Sequence, residues 1–82
     1  MAFRVELTNN VLEKLESYDS VTRGLIISWM KKNLDQCLNP RAIGEAMKKF
    51  EYNQWKYRIG SYRLLTLINN NSIIILDIVN DH

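Results

Sequence analysis

The run Trp55-Lys56-Tyr57-Arg58-Ile59-Gly60-Ser61-Tyr62-Arg63-Leu64-Leu65 decides how this chain folds. Trp55, Tyr57 and Ile59 alternate with Lys56 and Arg58, the period of a strand with one face turned inward. Gly60-Ser61 has the length and composition of a two-residue hairpin turn, the glycine taking backbone angles that other residues avoid. Tyr62 to Ile68 is then the returning strand. A two-residue turn sets the register: Ile59 opposite Tyr62, Arg58 opposite Arg63, Tyr57 opposite Leu64, Lys56 opposite Leu65. Directly opposed residues point to the same face. Arg58 and Arg63 therefore stand side by side, and Lys56, two residues from Arg58, joins them. Trp55, Tyr57 and Tyr62 fall on the other side and read as core.

Like charges opposed across a sheet are destabilising, so three clustered cations need an acidic partner, a bound anion or bulk water. The hairpin itself carries no acidic residue. Solvent alone is one answer, because surface charge interactions are weak, often under about 1 kcal/mol. A bound phosphate is the other: arginine offers a planar fork and lysine a mobile point charge. The charge distribution supports an anion. Residues 1–40 carry five basic and five acidic side chains. Residues 41–63 carry Arg41, Lys48, Lys49, Lys56, Arg58 and Arg63 against Glu45 and Glu51, a local sum of +4 within a chain whose net charge is +2. That concentration steers anions toward the middle third.

Outward from the hairpin, Asn69-Asn70-Asn71 is a second turn signal. Ser72 to Val79 reads as a third, central strand, apolar on both faces. At the other end, Phe3, Val5 and Leu7 alternate with Arg4 and Glu6 as a half-buried strand over residues 2–7. Thr8, Asn9 and Asn10 supply helix-capping chemistry, Asn10 with Glu13 having capping-box spacing. Val11, Leu12, Leu15 and Tyr18 then form one helical stripe. With Asp19 or Ser20 as cap, a longer helix is predicted from about Val21 to Leu38. Its apolar face carries Val21, Leu25, Ile26, Trp29, Met30, Leu34 and Cys37, and Gly24 either weakens it or admits a close neighbour. Asn39-Pro40 ends it. Residues 41–50 read as a connector with a short helical turn, seated on the core by Ala42, Ile43, Ala46, Met47 and Phe50. The predicted fold class is α+β, in the order β-α-α-β-β-β, with a helix hairpin packed on an antiparallel-rich sheet.

Eighty-two residues make one domain, spanning 1–82, and 46% hydrophobic with 24% charged residues argues against disorder. Cys37, the only cysteine, cannot form an internal disulfide and reads as a buried helical thiol. One cysteine and one histidine make no metal site, and no cofactor is implied. The N-terminus alternates rather than forming an apolar signal segment, and the longest apolar run, Ile73 to Leu76, is far too short to cross a membrane. A cytoplasmic location is the default expectation.

The tryptophan-to-leucine run above, preceded by Asn39-Pro40-Arg41 and followed by the isoleucine-rich strand, resembles the core signature of the RelE/ParE toxin superfamily of type II toxin–antitoxin systems. The resemblance extends over the whole chain and implies a fold like that of small microbial ribonucleases. For RelE-like members it implies cleavage of messenger RNA in the ribosomal A site, with translation inhibited. The 2′-hydroxyl attacks the adjacent phosphate, and basic side chains take the place of the usual histidine and glutamate. Lys56, Arg58 and Arg63 match the catalytic basic positions, with Lys56 and Arg63 stabilising the phosphorane-like transition state. Arg58 departs from members with lysine there as base, since arginine is a poor general base but a good phosphate clamp. Lys48 and Lys49, in the same basic third, are assigned to RNA contact. Members continue past the last strand with a basic pair and a tyrosine; this sequence ends at His82, a weak acid–base candidate, so the resemblance implies a C-terminally short site with activity weakened or lost. The partners implied are a cognate antitoxin, the ribosome and messenger RNA. Two alternatives stay open: a ParE-like toxin that inhibits DNA gyrase without being a nuclease, and a module that only binds antitoxin. For the last, Ile73, Ile75 and Val79 are candidate contacts unless they are ordinary core.

Overall fold

Strand alternation and turn chemistry generate a five-stranded sheet with two helices on one face. The computed structural model describes residues 2–80. The elements are β1 (Arg4–Leu7), α1 (Asn9–Ser17), α2 (Ser20–Asn33), β2 (Glu45–Lys48), β3 (Glu51–Ile59), β4 (Tyr62–Ile68) and β5 (Ser72–Asn80). The sheet order is β1-β5-β4-β3-β2, with β1 parallel to β5 and the other pairs antiparallel. The predicted α+β class holds. β5 is an inner strand between β1 and β4, as its apolar run suggested, with Leu76 and Val79 left exposed.

The core lies between the sheet and the helices: Val11 and Leu15 of α1, Ile26 and Met30 of α2, Leu34, and Trp55, Tyr57, Ile59, Leu64, Ile68, Ile73, Ile75 and Ile78. Ile73 and Ile75 are thus core and not available to an antitoxin, whereas Val79 is exposed. Thr66 is buried beside them because its hydroxyl donates to the Trp55 carbonyl at 2.8 Å. Lys14 fastens α1 to β5. Its ammonium reaches Asp77 Oδ1 at 2.6 Å and the Ile78 carbonyl at 2.9 Å, and Asn10 Nδ2 donates to the same carboxylate at 3.0 Å.

Several boundaries differ from the sequence reading. The cap of α1 is Thr8, whose hydroxyl accepts from the Val11 amide, leaving Asn10 for Asp77. Asp19 caps α2. That helix stops at Asn33, five residues before Leu38, because Phe3, just ahead of β1, captures the backbone beyond it. The Gln36 amide donates to the Phe3 carbonyl and the Phe3 amide to the Cys37 carbonyl, with Gln36 at φ 66°. Cys37 is accordingly a half-buried loop residue, not a helical thiol. Val21 and Leu25 are exposed, so the buried stripe of α2 is narrower than its apolar residues suggest. Gly24 has nothing within 4 Å of a would-be Cβ, so no close neighbour explains it. Residues 41–50 contain no helical turn: they enter the sheet as β2, and of the five residues expected to seat them only Ala46 packs on the core.

Candidate functional site

Strands β3 and β4 meet in the register that a two-residue turn demands. Arg58 faces Arg63, Ile59 faces Tyr62, Tyr57 faces Leu64 and Lys56 faces Leu65, with Gly60 at φ 58°. The alternation sends Trp55, Tyr57 and Ile59 into the core and leaves Lys56, Arg58 and Arg63 on the opposite face. The structure therefore brings together all three cations singled out in the hairpin. They line an open cavity of about 340 Å³ with Gly44, Glu45 and Tyr57.

Glu45 is the residue that sequence reading missed. It pairs with Lys56 across β2 and β3, and its Oε1 lies 3.5 Å from Lys56 Nζ. The acidic partner absent from the hairpin comes from the neighbouring strand. Glu45 is held there by a loop pinned to β3 at two points, one buried and one partly buried. The Trp55 indole Nε1 donates to the Ile43 carbonyl at 2.7 Å, and the Tyr57 hydroxyl donates to the Pro40 carbonyl at 2.5 Å. Burial pushes the Tyr57 phenol far above its ordinary range, so this donor keeps its proton. Arg41 adds a third tie, its Nε donating to the Tyr52 carbonyl at 2.6 Å while its guanidinium lies over the Trp55 ring at 5.9 Å.

Gly44 makes the approach possible. At φ 78°, an added Cβ would fall 2.5 Å from the Lys56 carbonyl oxygen and 2.8 Å from both Trp55 Nε1 and Tyr57 Cδ1. Only glycine fits both that backbone angle and that space. The signal for β2 was faint: the four residues Glu45-Ala46-Met47-Lys48 show no apolar–polar alternation, and the following turn, Lys49-Phe50, lacks glycine and asparagine.

Lys48 and Lys49 are not in the cavity. They sit at the β2–β3 turn, where Lys48 faces Glu51 and Lys49 Nζ lies 5.4 Å from the centre of the Phe50 ring. His82 lies outside the described residues. Among the described residues, no group of three or more His, Cys, Asp and Glu could hold a metal ion. Among the described residues, no helix is long and apolar enough to cross a membrane.

Residues 5–81 match the family described as ParE toxin of type II toxin–antitoxin system, parDE. The chain belongs to the ParE toxin family. It is thus the toxin component of a toxin–antitoxin system, within the RelE/ParE superfamily. The toxin's fold is shared with solved structures of low sequence identity. The RelBE2 toxin–antitoxin complex of Mycobacterium tuberculosis superposes with a TM-score of 0.81 at 18% identity, covering 98% of this chain and 92% of that one. An archaeal RelE–RelB complex from Pyrococcus horikoshii gives 0.74 at 21%, covering 99% and 97%. A mutant RelE toxin of E. coli in the free state gives 0.70 at 15%, covering 95% and 82%. No curated protein matches.

Proposed function

We propose that the toxin inhibits translation by cleaving messenger RNA on the ribosome, and that a cognate antitoxin holds it in check. The observation carrying this reading is the meeting of three cations and one carboxylate at a single open cavity. Lys56, Arg58 and Arg63 bind the scissile phosphate and neutralise the charge that grows on it as the phosphorane forms. Glu45 takes the proton of the 2′-hydroxyl as that oxygen bonds to phosphorus. The bond from phosphorus to the 5′-oxygen breaks, and the departing oxygen takes its proton from solvent, to which the cavity is open. The products are a 2′,3′-cyclic phosphate and a 5′-hydroxyl end. Glu45 answers the problem that arginine at position 58 cannot serve as base. The antitoxin reading draws on the two complexes of similar fold, each a toxin with its antitoxin.

Purified toxin is incubated with programmed ribosomes, and messenger ends are mapped and their chemistry read. Cleavage leaving cyclic phosphate ends is expected. Glu45→Gln lowers it about 100-fold or more, while leaving phosphate binding unchanged or tighter, since a negative charge is removed. Arg63→Glu abolishes phosphate binding. Intact messenger, or an Arg63→Glu variant that gains stability and still binds phosphate, overturns the reading. Inhibition of DNA supercoiling by gyrase with intact messenger would replace it with the gyrase alternative.

A further inference from the structure

The turn at the far end of β3 carries a feature the cavity does not use. Lys49-Phe50 joins β2 to β3, and Phe50 adopts φ 67° and is 76% exposed. A bulky residue in the left-handed region is unfavourable, and glycine or asparagine would take the same angle without that cost. The ring contributes nothing to the core in return. Beside it, Tyr52 is 57% exposed. Lys48 and Lys49 are exposed, Lys49 lying over the Phe50 ring, and Arg41 is bound to the Tyr52 backbone. The turn thus presents two exposed aromatic side chains among three cations, against the single carboxylate of Glu51.

We propose that the β2–β3 turn, Lys48 to Tyr52, is a base-stacking subsite for single-stranded RNA, with Phe50 as the platform. This deepens the proposed function and rests on its premise that the ligand is RNA. Single-stranded nucleic acid combines flat π faces with phosphate charge, and proteins bind it by stacking bases on aromatics beside cations. A folded protein partner fits less well, because lysine is depleted from protein–protein interfaces while two lysines flank this ring. The position suits one continuous strand of RNA. Lys56 lies five residue steps along β3 from Glu51, about 17 Å at ~3.3 Å per residue, a span that a few extended nucleotides cover. Lys49 over the ring keeps the platform electropositive, and a stacked base displaces it toward the neighbouring phosphate.

Binding is measured by fluorescence anisotropy with a short 2′-deoxy-substituted, uncleavable single strand, with an abasic strand of the same length, and with inorganic phosphate as competitor. Phe50→Gly keeps the backbone angle and removes the ring, so folding is preserved. It is expected to weaken the base-bearing strand by about 5-fold to 100-fold and to leave the abasic strand and phosphate unchanged. Phe50→Trp restores or strengthens binding. No binding of the base-bearing strand by the parent protein, or equal affinity in Phe50→Gly, overturns the subsite. Loss of antitoxin affinity in Phe50→Gly with RNA affinity unchanged makes the turn a protein contact instead, and also overturns it. Stacking at Phe50 with messenger left intact on the ribosome would refute the nuclease reading alone.

Discussion

Replacing Gly44 with alanine tests both the packing of the loop and the placement of the site. The new Cβ meets the Lys56 carbonyl at 2.5 Å, an atom of a paired strand and not the end of a flexible side chain. Two costs combine. A side chain at φ 78° carries about 1–2 kcal/mol. Forcing a methyl group into filled space adds about 1–3 kcal/mol as the neighbours shift. A loss near 3 kcal/mol is a large share of the roughly 4–12 kcal/mol available to a domain of this size. It lowers Tm by about 12–24 °C. The shift also moves Glu45 away from Lys56 and strains the Trp55-to-Ile43 hydrogen bond, so the proposed cleavage, rather than phosphate binding, falls in whatever fraction remains folded. Gly24→Ala is the matched control. It lies in the exposed interior of α2 with nothing within 4 Å, and stabilises by about 0.5–1 kcal/mol. Thermal and urea unfolding of the two variants give the answer. If Gly44→Ala melted with the parent protein, the close approach of the loop to β3 would be wrong, and with it the account of how Glu45 is held.

Two other perturbations probe the ties on either side of the sheet. Hydrogen bonding from Lys14, with further donation from Asn10 and the Ile78 amide, holds the Asp77 carboxyl below the usual carboxylate range. Its folded pKa is below its unfolded one, so its stabilisation is full above about pH 4 and fades as pH falls through the folded value. Asp77→Asn should cost about 1 kcal/mol at pH 7, discounted because both partners are partly exposed. The gap to the parent protein should close toward pH 2, and a pH-independent gap in Tm would exclude this origin. Asp19, lowered by hydrogen bonding from Thr22, keeps some acid sensitivity in the variant. Tyr57→Phe removes the buried hydroxyl from the Pro40 carbonyl and should cost about 1–3 kcal/mol by chemical denaturation. It should also slow the proposed cleavage, because the loop bearing Glu45 loosens; unchanged stability together with unchanged cleavage would count against the tie.

Much of this toxin was legible in the chain because the decisive signals are local. Alternation on both sides of Gly60-Ser61 determined the β3–β4 register, and that register alone brought Lys56, Arg58 and Arg63 to one face. The isoleucine-rich run of Ser72–Asn80 pointed to an inner strand, and β5 does pair on both edges, although Leu76 and Val79 remain exposed because the helices cover one face only. What the tertiary structure decided involves groups far apart in sequence. The end of α2 depends on Phe3 competing for the backbone of Gln36 and Cys37, a contact that no helical pattern encodes. The exposure of Val21 and Leu25 depends on how much of α2 the sheet can cover. β2 exists because Trp55 and Tyr57 anchor the Ile43 and Pro40 carbonyls, and Gly44 lets the loop close on Lys56. The carboxylate of the site arrives by that route. Three cations followed from strand geometry, and Glu45 joined them only because a packed loop delivered its strand to the edge of β3.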